Sequence, residues 1–135
     1  MGYKISEIEG IGPVNSEKLG TAGITNTDHM LAKCGSAKGR KTVAEQTGLS
    51  AKVLLKWADM ADMMRVSGVG RQYGELLKAS GVDTVKELRT RKAENLAKKM
   101  AEVNAEKKLC KNVPNANVIQ KWIDAAKVTE PTITH

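Results

Sequence analysis

Aromatic residues are nearly missing from this chain: they make up 3% of its 135 residues, and phenylalanine is absent altogether. A protein that grips single-stranded nucleic acid needs exposed rings for bases to stack on. Two Trp and two Tyr leave little to build that platform with, and single-strand binding is disfavoured. The core must instead be aliphatic, drawn from Leu, Ile, Val, Ala and six Met. Cysteine is also scarce. Cys34 and Cys110 cannot make a disulfide framework, and they suit a reducing compartment as small buried hydrophobes. No run of eighteen apolar residues occurs and no apolar signal core opens the chain, so a cytoplasmic protein without membrane attachment is expected.

What the chain does carry is positive charge, unevenly placed. The formal net charge is +7. Residues 1–62 hold eight Lys/Arg against seven Asp/Glu, a balance of +1, whereas residues 63–135 hold fourteen against eight, a balance of +6. A basic half-surface speaks for polyanionic partners and association, and it says nothing about fold.

An internal repeat organises the rest. Ile8-Glu9-Gly10-Ile11-Gly12 returns as Val66-Ser67-Gly68-Val69-Gly70, at an offset of 58. At the same offset Glu17 matches Glu75, Leu19 matches Leu77, Gly23 matches Gly81 and Ile24 matches Val82. Towards the repeat ends the offset becomes 65. There Ser50 pairs with Asn115, Val53 with Val118, Leu54 with Ile119, Trp57 with Trp122 and Ala61 with Ala126. Seven extra residues therefore lie in the second copy, near residues 106–113.

Helix signals run throughout and period-two alternation is absent. A short helix over residues 3–8 enters the first Gly-Ile-Gly turn. The helix after it carries Pro13 in its first turn and stops at Gly23. Thr25, Asn26 or Thr27 caps a helix through Leu31, another covers residues 41–47 and closes at Gly48, and Ser50 caps a long one through Met64. In the second copy a helix over residues 71–80 ends at Gly81, and Asp83 or Thr84 caps the next. Stretches at residues 93–103 and 105–111 follow, Pro114 ends that run, and Asn115 caps the last helix. The expected fold is all-α: one compact body of two packed repeats, residues 1–62 and 63–130, with pseudo-two-fold symmetry and a frayed tail at 131–135.

The glycine turns are the chemical signal. Two glycines open backbone conformations closed to other residues, the apolar residue between them plugs inward, and the next helix begins with unpaired N–H groups and partial positive charge. Such a turn can hold a phosphate. The pattern Ile8-Glu9-Gly10-Ile11-Gly12…Gly23-Ile24 and its repeat Val66-Ser67-Gly68-Val69-Gly70…Gly81-Val82 resemble the helix-hairpin-helix motif. Tandem pairs of that motif bind duplex DNA without reading sequence, one hairpin to each strand. The arrangement also looks like the C-terminal domain of the alpha chain of bacterial RNA polymerase. More narrowly, residues 5–31 followed by Lys56-Trp57 look like an uncharacterised bacterial family of tandem helix-hairpin-helix proteins.

The resemblance implies a contact in which amides of Gly68, Val69 and Gly70 meet a phosphate while Arg71, Lys78 and Arg65 add charge. Gly10, Ile11, Gly12 and Lys18 would form the partner contact. DNA-binding hairpins commonly carry a cation just after the second glycine; the first copy has Pro13, Val14 and Asn15 there, flanked by Glu7, Glu9 and Glu17. The groups Arg89/Arg91/Lys92, Lys98/Lys99 and Lys107/Lys108/Lys111 could extend a phosphate-tracking surface, or could be solvated faces interleaved with Glu87, Glu94, Glu102 and Glu106. Trp57 and Trp122 fall on apolar stripes and belong to the core.

Enzyme readings fail. Gly68 to Gly74 approaches a dinucleotide fingerprint, but the last gap is one residue too long and no strand precedes it. His29, Cys34, Cys110 and His135 form no metal-ligand spacing, and no nucleophile motif occurs. No catalytic residue, metal, cofactor or small-molecule substrate is therefore expected. The leading expectation is sequence-nonspecific duplex-DNA binding through backbone phosphates, mainly at the second hairpin. The alternative is a protein–protein adaptor on the same scaffold without nucleic acid.

Overall fold

Capping side chains set the helix boundaries, and they recur at the offsets of the sequence repeat. A computed structural model describes residues 2–129 and 132–134, with backbone alone at residues 70–72. The described elements are helical, with a single isolated bridge between Lys4 and Asn26. In order they are a 3-10 turn (Ile5–Glu7), α1 (Gly12–Thr21), α2 (Thr27–Cys34), α3 (Ala37–Thr47), α4 (Ala51–Met64), α5 (Gly70–Ala79), α6 (Val85–Thr90), α7 (Ala93–Lys107) and α8 (Ala116–Val128). The chain divides into two units, Met1–Asp62 with Thr132–His135, and Met63–Pro131.

Asn26 opens α2 by accepting the His29 N–H at 2.8 Å. Thr84, its counterpart in the second copy, opens α6 by accepting the Glu87 N–H at 3.1 Å. Ser50 accepts the Val53 N–H at 3.1 Å ahead of α4, and its counterpart Asn115 accepts the Val118 N–H at 3.0 Å ahead of α8. Each cap satisfies an otherwise orphaned amide and stabilises its helix by about 1 kcal/mol. The buried stripes repeat as well. Leu54, Trp57, Ala58 and Ala61 on α4 have their counterparts in Ile119, Trp122, Ile123 and Ala126 on α8, all buried. That spacing puts each set on one helix face.

In the first unit α3 packs on α1 and α2, over a core that includes Ile5, Ile8, Ile11, Leu19, Ile24 and Met30. In the second, α6 and α7 pack on α8, and Val66, Val69, Leu76, Leu77, Leu96 and Trp122 share one cluster. The cores are aliphatic with one buried Trp each, as the composition demands.

Three local expectations are corrected. α3 starts at Ala37 rather than at residue 41, because the Ser36 hydroxyl accepts the Gly39 N–H at 3.0 Å and supplies the cap. The stretches at 93–103 and 105–111 are one helix, α7, ending at Lys107. Asn104 does not break it. Its side chain faces the following loop, donating to the Cys110 carbonyl at 2.9 Å and accepting the Cys110 N–H at 3.0 Å. Finally, the tail is not frayed at 132–134. Thr134 N–H donates to the Gly35 carbonyl at 2.8 Å, Thr132 donates its hydroxyl to Asp62 Oδ1 at 3.1 Å, and Ile133 is buried.

The seven-residue difference between the copies resolves into two parts. The left-handed residues that follow α3 and α7 are Gly48 and Lys108, at an offset of 60, so the helix run contributes two. The connection to the next cap contributes five, since Ser50 comes two positions after Gly48 and Asn115 seven positions after Lys108.

Candidate functional site

Both glycine turns are built by the same backbone bonds at a constant offset of 58. Ile8 N–H donates to Ile5 O and Val66 N–H to Met63 O; Ile11 N–H donates to Ile8 O and Val69 N–H to Val66 O. At the far end of the helix Ile24 N–H donates to Leu19 O, and Val82 N–H to Leu77 O, each at 2.9 Å. Gly10 and Gly68 have φ of 92° and 90°, a region strained for any side-chain-bearing residue. Ile11 and Val69, the residues between the glycines, are both helical in backbone and buried as plugs.

This geometry revises which amides face outward. The Val69 N–H is bonded to the Val66 carbonyl at 3.1 Å, so it is not the phosphate donor expected from the sequence, and Ile11 N–H is engaged in the same way at 3.3 Å. The open donors belong to the helix starts instead. Neither α1 nor α5 has a side-chain cap or an acidic residue in its first turn, which leaves the first amides of each helix without an intrahelical partner. Pro13 removes one of those donors from α1.

The surroundings of the two turns differ. A Cβ on Gly10 would meet nothing within 4 Å, while one on Gly68 would lie 2.9 Å from Trp122 Nε1. The second turn therefore rests on the indole edge, and Tyr73 packs tilted against the same ring, with centroids 5.0 Å apart and an interplanar angle of 44°. Around the first turn Glu9, Glu17 and Lys18 are exposed, and Val14 in the first turn of α1 is 65% exposed. Around the second, Arg65 is exposed and Lys78 half-buried, and both engage other groups of the protein. The Arg71 side chain, expected to supply charge here, lies outside the described residues.

The basic groups sort by what they touch. Arg89 donates to the Ala126 carbonyl at 2.6 Å and to the Thr129 carbonyl, closing the end of α8. Arg91 donates to the Gly81 carbonyl at 3.1 Å and pairs with Glu87 at 2.9 Å. Two of the three residues in the first predicted cluster are thus structural clamps on helix ends, where a cation complements the carbonyl dipoles. Lys33 holds the repeat position of Arg91 and sits the same way: its Nζ would lie 3.1 Å from a Cβ on Gly23. The shared repeat position is visible in the sequence, but nothing there distinguishes a clamp from a solvated cation. Arg40 has the look of an exposed basic residue beside Lys41; it is buried, donating to Cys34 O at 2.9 Å, to Gly35 O at 3.0 Å and to Thr134 O. Lys92, Lys98, Lys99, Lys107, Lys108 and Lys111 are exposed.

Burial pushes the Cys34 thiol up to about 11, against the opposing pull of Arg40 and Lys33, and burial raises Cys110 as well. Neither is a thiolate nucleophile at neutral pH. His29 is exposed, with Nδ1 accepting the Thr25 N–H at 3.2 Å. Among the described residues no three His, Cys, Asp or Glu come together as a metal site, and no helix is long and apolar enough to cross a membrane.

Residues 9–129 match the model of the family described as Domain of unknown function (DUF4332), and the chain belongs to that family. Neither a curated protein nor a solved structure matches it.

Proposed function

We propose that this member of a family of unknown function binds duplex DNA without sequence preference, gripping backbone phosphates mainly at the second glycine turn. The observation that carries the reading is the uncapped start of α5 behind a left-handed Gly68, in the half of the chain that holds +6 of the +7 charge. Exposed amides aligned with a helix dipole bind an anion, and backbone phosphates carry no base information. With Val69 turned inward, the donors are the first amides of α5, at Gly70, Arg71 and Gln72. Arg71, which follows Gly70 directly in sequence, adds charge, as do Arg65 and Lys78. The first turn, with Gly10, Gly12 and Lys18, is the weaker partner, because Pro13 removes a donor and Glu9 and Glu17 repel phosphate.

The reading extends the likeness to tandem helix-hairpin-helix modules and, more distantly, to the C-terminal domain of the RNA polymerase alpha chain. It describes a cytoplasmic, non-enzymatic protein that needs no cofactor. One observation favours a second reading. Val14, exposed beside Glu9 and Glu17, gives the first turn an apolar and acidic face suited to a protein partner, as an adaptor would need.

Fluorescence anisotropy with a labelled duplex of arbitrary sequence separates the two. Nonspecific phosphate binding weakens log-linearly with salt, and the slope counts the contacts. Arg71→Ala is expected to lower affinity and the slope by about one contact while leaving the thermal melt in place. No binding at low salt would overturn the DNA reading in favour of the adaptor.

A further inference from the structure

Some cations of the second unit clamp helix ends, Arg65 and Lys78 engage other groups of the protein, and others are exposed without a hydrogen bond or ion pair among the described residues. Arg89 and Arg91 are clamps. The side chains of Lys107, Lys108 and Lys111 are exposed and make no hydrogen bond or ion pair among the described residues. They lie on the five-residue segment Lys107-Lys108-Leu109-Cys110-Lys111, whose Leu109 is 40% exposed.

Beyond Lys107, the last residue of α7, this segment is held in shape without a helix or strand. Lys108 takes a left-handed backbone at φ 50° and ψ 48°, alone among the described non-glycine residues in having positive φ. Asn104 bonds both the N–H and the carbonyl of Cys110, and the Cys110 thiol donates to the Asn112 carbonyl at 3.3 Å. The first repeat has no counterpart: Gly48 fills the left-handed place there and Ser50 follows two positions later. Where glycine would do at no strain, the second copy keeps a lysine and adds five residues that carry another. A loop already held in one shape loses less freedom when it binds, and three unpaired ammonium groups complement a polyanion.

We propose that the loop from Lys107 to Lys111 is a second contact with duplex phosphates, separate from the glycine turn. The inference rests on the duplex-binding reading and adds a site to it. Lys107, Lys108 and Lys111 act as point charges that displace counterions, and the clamp of Asn104 on Cys110 holds the backbone between Lys108 and Lys111. A lipid surface fits less well, since a single exposed Leu offers too little apolar area for interfacial anchoring.

The test uses the full chain and a labelled duplex of arbitrary sequence, titrated across salt concentrations. The variants are Lys107→Gln/Lys108→Gly/Lys111→Gln together, Lys108→Gly alone, and Arg71→Ala as the turn control. The triple variant is expected to lose at least about tenfold in affinity at near-physiological salt and to lower the log–log salt slope by about 2.7, at roughly 0.9 per phosphate contact. Lys108→Gly alone is expected to weaken binding while raising the unfolding midpoint, because it removes both a charge and a strained backbone. A purely structural role for Lys108 would not move those two readouts in opposite directions. Wild-type affinity and slope in the triple variant, with Arg71→Ala impaired, would overturn this inference and leave the turn reading standing. Loss in the triple variant with Arg71→Ala unimpaired would support it and remove the turn. Vesicles of phosphatidylserine and phosphatidylcholine are the counter-probe: loss of vesicle binding with duplex binding retained would overturn the assignment to nucleic acid. A wild type that ignores duplex at low salt brings down both readings.

Discussion

At Gly10 a Cβ would find open space, whereas at Gly68, the same place in the other turn, it would press within 2.9 Å of Trp122 Nε1, although φ is 92° in one and 90° in the other. The first glycine is required by backbone conformation alone. The second is required by conformation and by the indole against which its turn rests. A glycine in a motif therefore has two separable physical causes, and only one of them is visible in the motif. The consequence for function runs the same way: the turn seated on Trp122 is also the one in the basic half of the chain, while the turn with open surroundings is edged by Glu9, Glu17 and exposed Val14.

The largest expected effect comes from filling both places. Gly68→Ala adds backbone strain and overpacking against Trp122 and should destabilise the protein by about 3 kcal/mol or more. Gly10→Ala adds strain alone, about 1–2 kcal/mol. Denaturant unfolding followed by Trp fluorescence and circular dichroism reads both, and equal losses would break the distinction. A smaller contrast is available at the other ends of the same helices. Arg91→Ala and Lys33→Ala each remove the cation over a left-handed glycine, at Gly81 and Gly23, and should each cost about 0.5–1 kcal/mol. Arg91 should cost the more of the two, because it also bonds the Gly81 carbonyl and pairs with Glu87. If Lys33→Ala proves neutral, the clamp belongs to the second repeat alone.

Much of the helical framework is legible in the chain. Asn26, Ser50, Thr84 and Asn115 cap the helices they precede, Gly23, Gly48 and Gly81 stand left-handed after helices, and both Trp residues are buried. These features depend on a few neighbouring residues, so local spacing specifies them. What escapes the sequence depends on residues far apart. Arg40 looks like any surface cation until Thr134, ninety-four positions away, supplies a carbonyl for it. Segment 132–134 has too little pattern to announce a docking site, and only Asp62, Gly35 and Arg40 together make one. The inward turn of the Val69 amide is a different case: its bond to Val66 is local, but the motif announces its glycines and not which amides face out.

Whether one backbone motif binds mainly at its second copy and only weakly at its first can be read by amide chemical-shift mapping of an isotope-labelled full chain titrated with duplex DNA. The amides of Gly70, Arg71 and Gln72 are expected to shift most on binding, and those of Gly12, Val14 and Asn15 to shift less. Shifts concentrated at the first turn, or absent from both turns while the protein binds, would contradict that division of labour.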